Sequence, residues 1–137
     1  MTRPVQLAAG VFAGVAVATL SWLAIVPWDL STVDENDRLI EGSETQDAKV
    51  WAVLGILVLL AFAAALVLPK RATGFAVGAV LTFAVLYTWR GSTARVVGAN
   101  LWAAGLVVIV PLAVVMVAGV HGVALWRLRS RMASTPG

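Results

Sequence analysis

The chain lacks cysteine altogether, has one histidine and one tyrosine, and carries charge on only 12 % of its 137 residues. Without cysteine there is no disulfide framework, no thiolate metal site and no thiol redox chemistry. One histidine excludes bis-histidine haem ligation within one chain. The shortage of charge is the most restrictive absence. A soluble domain has about a quarter of its residues charged, and ten basic plus seven acidic side chains cannot keep the surface of a fold this long hydrated. What is present instead is 61 % hydrophobic residues and a mean hydropathy of +0.93. These values predict an all-α integral membrane protein forming one polytopic domain over residues 1–137.

Four apolar stretches, at about 5–27, 50–68, 73–89 and 101–126, contain no Asp, Glu, Lys or Arg. Each approaches the roughly 20 residues a helix needs to cross hydrocarbon. Lipid leaves open backbone groups unsatisfied, and the stretches show no alternation of barrel strands, so four transmembrane helices in a small bundle are expected. The apolar run of the fourth begins near Val96, which requires tilt or a kink, and Pro111 is the expected kink site. The basic lead Met1-Thr2-Arg3 before the first run resembles the start of a signal peptide. That run is too long for a signal core and no small-x-small site precedes Trp28-Asp29, so an uncleaved anchor is expected.

The formal charge of +3 conceals a separation. All seven acids, Asp29, Asp34, Glu35, Asp37, Glu41, Glu44 and Asp47, lie in the first loop, 28–49, with Arg38 and Lys49; the loop is therefore −5 and the remainder +8. Four spans put both termini on one side. An N-in/C-in arrangement places Arg3, Lys70, Arg71, Arg127, Arg129 and Arg131 in the cytoplasm against Arg38, Lys49, Arg90 and Arg95 outside, as the positive-inside rule prefers. Lys70 and Arg71, taken as a turn, and the Arg127-Leu-Arg-Ser-Arg131 end are the expected topology anchors. A membrane potential negative inside also favours the acidic loop outside. Trp28, Trp51, Trp89 and Trp102 fall at the outer span ends and Trp126 at an inner one, where indoles favour the headgroup layer; Trp22 lies deeper. Residues 132–137 read as a disordered tail. The excess of Arg over Lys with abundant Ala, Val and Gly fits a GC-rich prokaryotic coding sequence and a plasma-membrane protein.

Gly10 and Gly14 open the first span, and Gly74 and Gly78 open the third. Both pairs have the GxxxG spacing that bares one helix face for close approach. They predict a first-to-third helix contact, or a homodimer through one of them. Ala61, Ala63, Ala64 and Ala65 thin the second helix in the same way. Ser43-Glu-Thr-Gln46 fits a capping box leading into that helix.

Chemistry-bearing residues are sparse. His121 as a chemical site would be a haem ligand or proton relay, but Met116, on the same helix, cannot reach the opposite face of one haem; a packed or interfacial histidine is expected. Gln6, Thr19, Ser21, Thr82, Thr88 and Asn100 could line a polar path, yet interhelical hydrogen bonds average only about 0.6 kcal/mol in membranes and packing is the plainer role. No carboxylate or cation stands at mid-membrane. That argues against an ion-coupled pump, including a small multidrug exporter, whose four short helices this layout resembles but which depends on a buried glutamate. Asp34, Glu35 and Asp37 lack the Asp-x-Asp-x-Asp-Gly order of a calcium loop and read as solvated. No GxSxG, HExxH or P-loop motif is present. The expectation is a non-catalytic accessory or scaffold subunit without cofactor or metal. Its partners would be the lipid bilayer and another membrane protein or a second copy, met through Asp34, Glu35, Asp37 and Glu41. An oligomeric channel or transporter subunit is the alternative. Three arginines beside a membrane are no groove-reading element, so nucleic acid is not expected.

Overall fold

The computed structural model describes residues 2–27, 31–33, 36, 38–39, 46–94 and 102–134. It is all-helical, with α1 at Arg3–Ile25, α2 at Gln46–Val67, α3 at Pro69–Thr93 and α4 at Trp102–Ala133. All four are long and apolar enough to cross a bilayer. At 1.5 Å per residue the shortest, α2 with 22 residues, is about 33 Å long.

The helices outrun the apolar stretches at the starts of α1, α2 and α3 and at the ends of α3 and α4, whereas α1 stops at Ile25 and α2 at Val67, short of the expected 27 and 68. The expected third span, 73–89, is the middle of a 25-residue helix that takes in Lys70 and Arg71 at its start. Those two residues are therefore not a turn. The break is Leu68, with φ −126° and ψ 61°, because the ring of Pro69 disfavours helical backbone in the residue before it. Pro69 then occupies the first helical turn, where its missing N–H costs nothing, and the Leu68 carbonyl accepts from the amides of Arg71 and Ala72 at 2.9 and 3.1 Å. In the same way α4 runs through Arg127, Arg129 and Arg131 to Ala133, so Met132 and Ala133 are helical rather than tail. The helix continues through Pro111. Apolarity measures the hydrocarbon depth, whereas the helix extends beyond it on long basic side chains that carry their charge away from the apolar surface.

Contacts set the helix directions. Gly10 and Gly14 of α1 meet Arg71 to Ala79 of α3 in ascending order, so these two are parallel; Tyr87 meets Gly105 and Thr73 meets His121, so α3 and α4 are antiparallel. α3 is the hub, packing on α1, α2 and α4, while the α1 and α4 backbones do not approach each other closely among the described residues. One end of the assembly gathers the N-termini of α1 and α3 with the C-termini of α2 and α4. The other carries the connection between α1 and α2.

The core has two halves of different texture. Toward the acidic connection it is bulky: Trp22, Val53, Leu57, Phe83 and Ile109 are buried together, with Trp22 and Phe83 edge-on at 5.8 Å between centroids. Toward the opposite end it is built from Ala61, Ala65, Ala72, Ala76 and Ala124 around Met116 and Val120. Many large apolar side chains face outward, among them Phe12, Leu20, Leu59, Leu81 and Val107, a surface suited to hydrocarbon rather than water.

Candidate functional site

The α1–α3 seam follows from the absence of side chains on it. Gly10, Gly14, Ala18 and Trp22 are all buried and recur every four residues, one stripe down α1. A Cβ on Gly10 would collide with the Arg71 carbonyl oxygen and lie 2.9 Å from the Phe75 nitrogen; one on Gly14 would collide with the Phe75 carbonyl oxygen and lie 2.8 Å from the Ala79 nitrogen. The relation is reciprocal, since Gly74 and Gly78 face the carbonyl oxygens of Leu7 and Val11 just as closely. The hydrogen in place of each missing Cβ points at an oxygen of the other helix, so weak Cα–H···O contacts accompany the packing. The structure thus brings Gly10, Gly14, Gly74 and Gly78 together within one chain, and the bare faces are occupied there. The seam is closed at the polar end by Arg71 Nε, which donates to Gln6 Oε1 at 2.7 Å.

The basic residues that sequence reasoning treated only as anchors include two that cap another helix. Arg127 Nε donates to the Leu66 carbonyl at 3.2 Å, and Arg131 donates through a terminal guanidinium nitrogen to the Val67 carbonyl at 3.3 Å. Both carbonyls belong to the last turn of α2, which has no basic residue of its own, and a helix end leaves such carbonyls without intrahelical partners. A positive guanidinium there also complements the negative end of the α2 dipole. The signal was present in the sequence as a helix with no terminal glycine or cation and two arginines four apart on another. Arg129, between them in sequence, is exposed.

His121 and Thr73 are joined by a 3.0 Å hydrogen bond between the imidazole Nδ1 and the hydroxyl, linking α4 to α3. They stand where two hollows meet. One is a cavity of about 440 Å³ at the basic end, lined by Arg3, Gln6, Lys70 and Thr73 on the α1 and α3 side and by His121, Leu125 and Leu128 on α4. The other is an open groove of about 610 Å³ between α3 and α4, walled by Val77, Leu81, Val114 and Val117 and sharing Thr73 and His121. Among the described residues there is no group of three His, Asp, Glu or Cys able to hold a metal ion.

At the opposite end, described parts of the connection fold back on themselves. Val33 and Leu39 form an isolated antiparallel bridge, Ser31 and Val33 are buried, and Gln46 Nε2 donates to the Ser31 carbonyl at 3.3 Å. Gln46 thereby ties the exit of α1 to the start of α2. The candidate contact residues Asp34, Glu35, Asp37 and Glu41 lie outside the described residues, as do Ser43 of the capping box, Trp28, Arg95, Asn100 and 135–137. Trp51, Trp89 and Trp126 are exposed near helix ends, with the Arg90 guanidinium 5.5 Å from the Trp89 ring centre. Trp22 differs from them. It is fully buried, and its indole nitrogen makes no hydrogen bond among the described residues. Of the polar side chains within the spans, Thr19 bonds to the Val15 carbonyl of its own helix at 2.8 Å.

Four apolar helices of spanning length around an apolar core are compatible with a small multi-pass membrane protein. Compared with family models, curated proteins and solved structures, the chain matches none.

Proposed function

We propose that the chain is a plasma-membrane protein with both termini in the cytoplasm, and that it serves without catalysis as an accessory or scaffold subunit presenting its acidic loop outside. The observation that supports a scaffold over a conduit is the interior: among the described residues the only buried polar ones are Ser31 and Gln46, both at the connection between α1 and α2, and every other buried helix residue besides glycine and Pro69 is an apolar or aromatic one. A substrate path through the bilayer would bring ionisable or hydrogen-bonding groups into that interior. The N-in/C-in orientation is supported by the six basic residues Arg3, Lys70, Arg71, Arg127, Arg129 and Arg131 collected at one end. The partner is a membrane protein or a second copy, with Asp34, Glu35, Asp37 and Glu41 as contacts on the outer side.

Purification from its native membrane in mild detergent, with identification of the copurifying species, tests this role. A stoichiometric membrane partner or a defined homo-oligomer is the expected result. A monodisperse monomer without partners would count against the scaffold, and ion conductance after reconstitution would replace it with an oligomeric channel.

A further inference from the structure

The two hollows that meet at His121 and Thr73 differ in chemistry, and their difference has a direction. The cavity at the basic end offers Arg3 and Lys70 as exposed cations, Gln6 as an amide, and the Thr73–His121 pair at its inner limit; no carboxylate lines it among the described residues. No described carboxylate pairs with Arg3 or Lys70, and the one described acid, Asp47, lies in the first turn of α2 at the far end. The groove continues from that pair toward mid-bundle between walls of Val, Leu and Ala. It runs from His121 to Ala113, eight residues of α4 or about 12 Å at 1.5 Å per residue. One leaflet of a bilayer has roughly 15 Å of hydrocarbon.

We propose that this combined site holds an anionic phospholipid of the leaflet on the basic side, its phosphate between Arg3, Lys70 and the Thr73–His121 pair and one acyl chain laid in the α3–α4 groove. Charge complementarity selects the headgroup, as in other basic pockets between spanning helices. Continuity of the groove with the cavity selects a lipid over a free phosphate, because a free anion would occupy the polar part alone. Alanines 113 and 118 keep the groove open, and the α1 and α4 backbones, which stay apart among the described residues, leave the mouth of the cavity between them. The proposal rests on membrane insertion and not on the scaffold role. Resistance to alkaline carbonate extraction reports insertion separately, so a failure of either is recognised by itself.

The test is native mass spectrometry of the full chain in detergent, titrated with phosphatidylglycerol, phosphatidylcholine or glycerol 3-phosphate. Phosphatidylglycerol is expected to bind roughly tenfold or more tightly than phosphatidylcholine, and Arg3→Gln and Lys70→Gln each to reduce that preference roughly fivefold. Ala118→Phe, at an exposed position on the groove wall, is expected to weaken both lipids while leaving the preference intact. Glycerol 3-phosphate, a headgroup without chains, should not be retained. Equal binding of the two lipids by the wild-type chain would overturn the proposal whatever the variants do. So would an unchanged preference in both charge variants, or glycerol 3-phosphate binding as tightly as phosphatidylglycerol, which would mark a free-anion site.

Discussion

Replacing Gly14 by alanine adds one methyl group at a place where it has nowhere to go. The new Cβ would overlap the Phe75 carbonyl oxygen and lie 2.8 Å from the Ala79 nitrogen and 3.0 Å from the Phe75 carbonyl carbon, where ordinary contact begins near 3.4 Å. All three atoms are backbone, so no side chain can swing aside; α1 and α3 must separate by more than half an ångström along the seam. Overpacking of this kind costs about 1–3 kcal/mol. Loss of Cα–H···O contacts adds about 0.5–1 kcal/mol each. The better helix propensity of alanine returns about 1 kcal/mol, leaving a net destabilisation of about 0.5–3 kcal/mol. Gly55→Ala is the internal control, since a Cβ there meets nothing within 4 Å. Its expected effect is between zero and about 1 kcal/mol of stabilisation. The assay is unfolding by sodium dodecyl sulfate from mild-detergent micelles, followed by tryptophan emission, because Trp22 is buried on the same stripe of α1. Equal midpoints for the two variants would refute the close α1–α3 seam.

Three further outcomes follow from the packing. Arg127→Gln and Arg131→Gln should each lower the same unfolding midpoint by about 0.5–1.5 kcal/mol by uncapping the Leu66 and Val67 carbonyls, whereas Arg129→Gln, which removes no such cap among the described residues, should leave it unchanged. Trp22→Phe should change stability by less than about 1 kcal/mol, because the loss of ring volume is offset by removing an indole N–H without a partner among the described residues; Trp22→Ala should cost about 3–5 kcal/mol, and similar midpoints for the two would place Trp22 outside the core. Gly105→Ala should destabilise by driving its Cβ into the Tyr87 hydroxyl, with 2.8 Å to Cζ, and Tyr87→Phe in the same chain should restore part of the loss; a double variant no better than the single one would remove that contact.

The four helices were legible because hydrocarbon imposes one condition, length without charge, and the four stretches meet it. Their ends were not, because a helix does not stop where apolarity does. Leu68 rather than the Lys70-Arg71 pair makes the turn for a reason visible in the sequence, the following proline, but charge alone draws attention to the wrong residues. Gly10, Gly14, Gly74 and Gly78 were recognisable as thin faces, while the register that sets Gly14 between Phe75 and Ala79 pairs residues more than 60 apart in the chain, which no local spacing fixes. The arginine caps on α2 and the Thr73–His121 bond join residues 48 or more apart in the chain. No local spacing announces such pairs; they follow from the antiparallel return of α4 along α3 and its parallel course beside α2.

The absence of cysteine makes the central claim directly measurable, since any thiol introduced is the only one in the chain. Single substitutions Ile40→Cys, in the acidic loop, and Ser134→Cys, after α4, are each exposed to a membrane-impermeant maleimide in intact cells and again after permeabilisation. Four spans with both termini in the cytoplasm predict labelling at position 40 in intact cells and at position 134 only after permeabilisation. Labelling of both positions from the same side would contradict the four-span arrangement, and the reverse pattern would contradict its orientation.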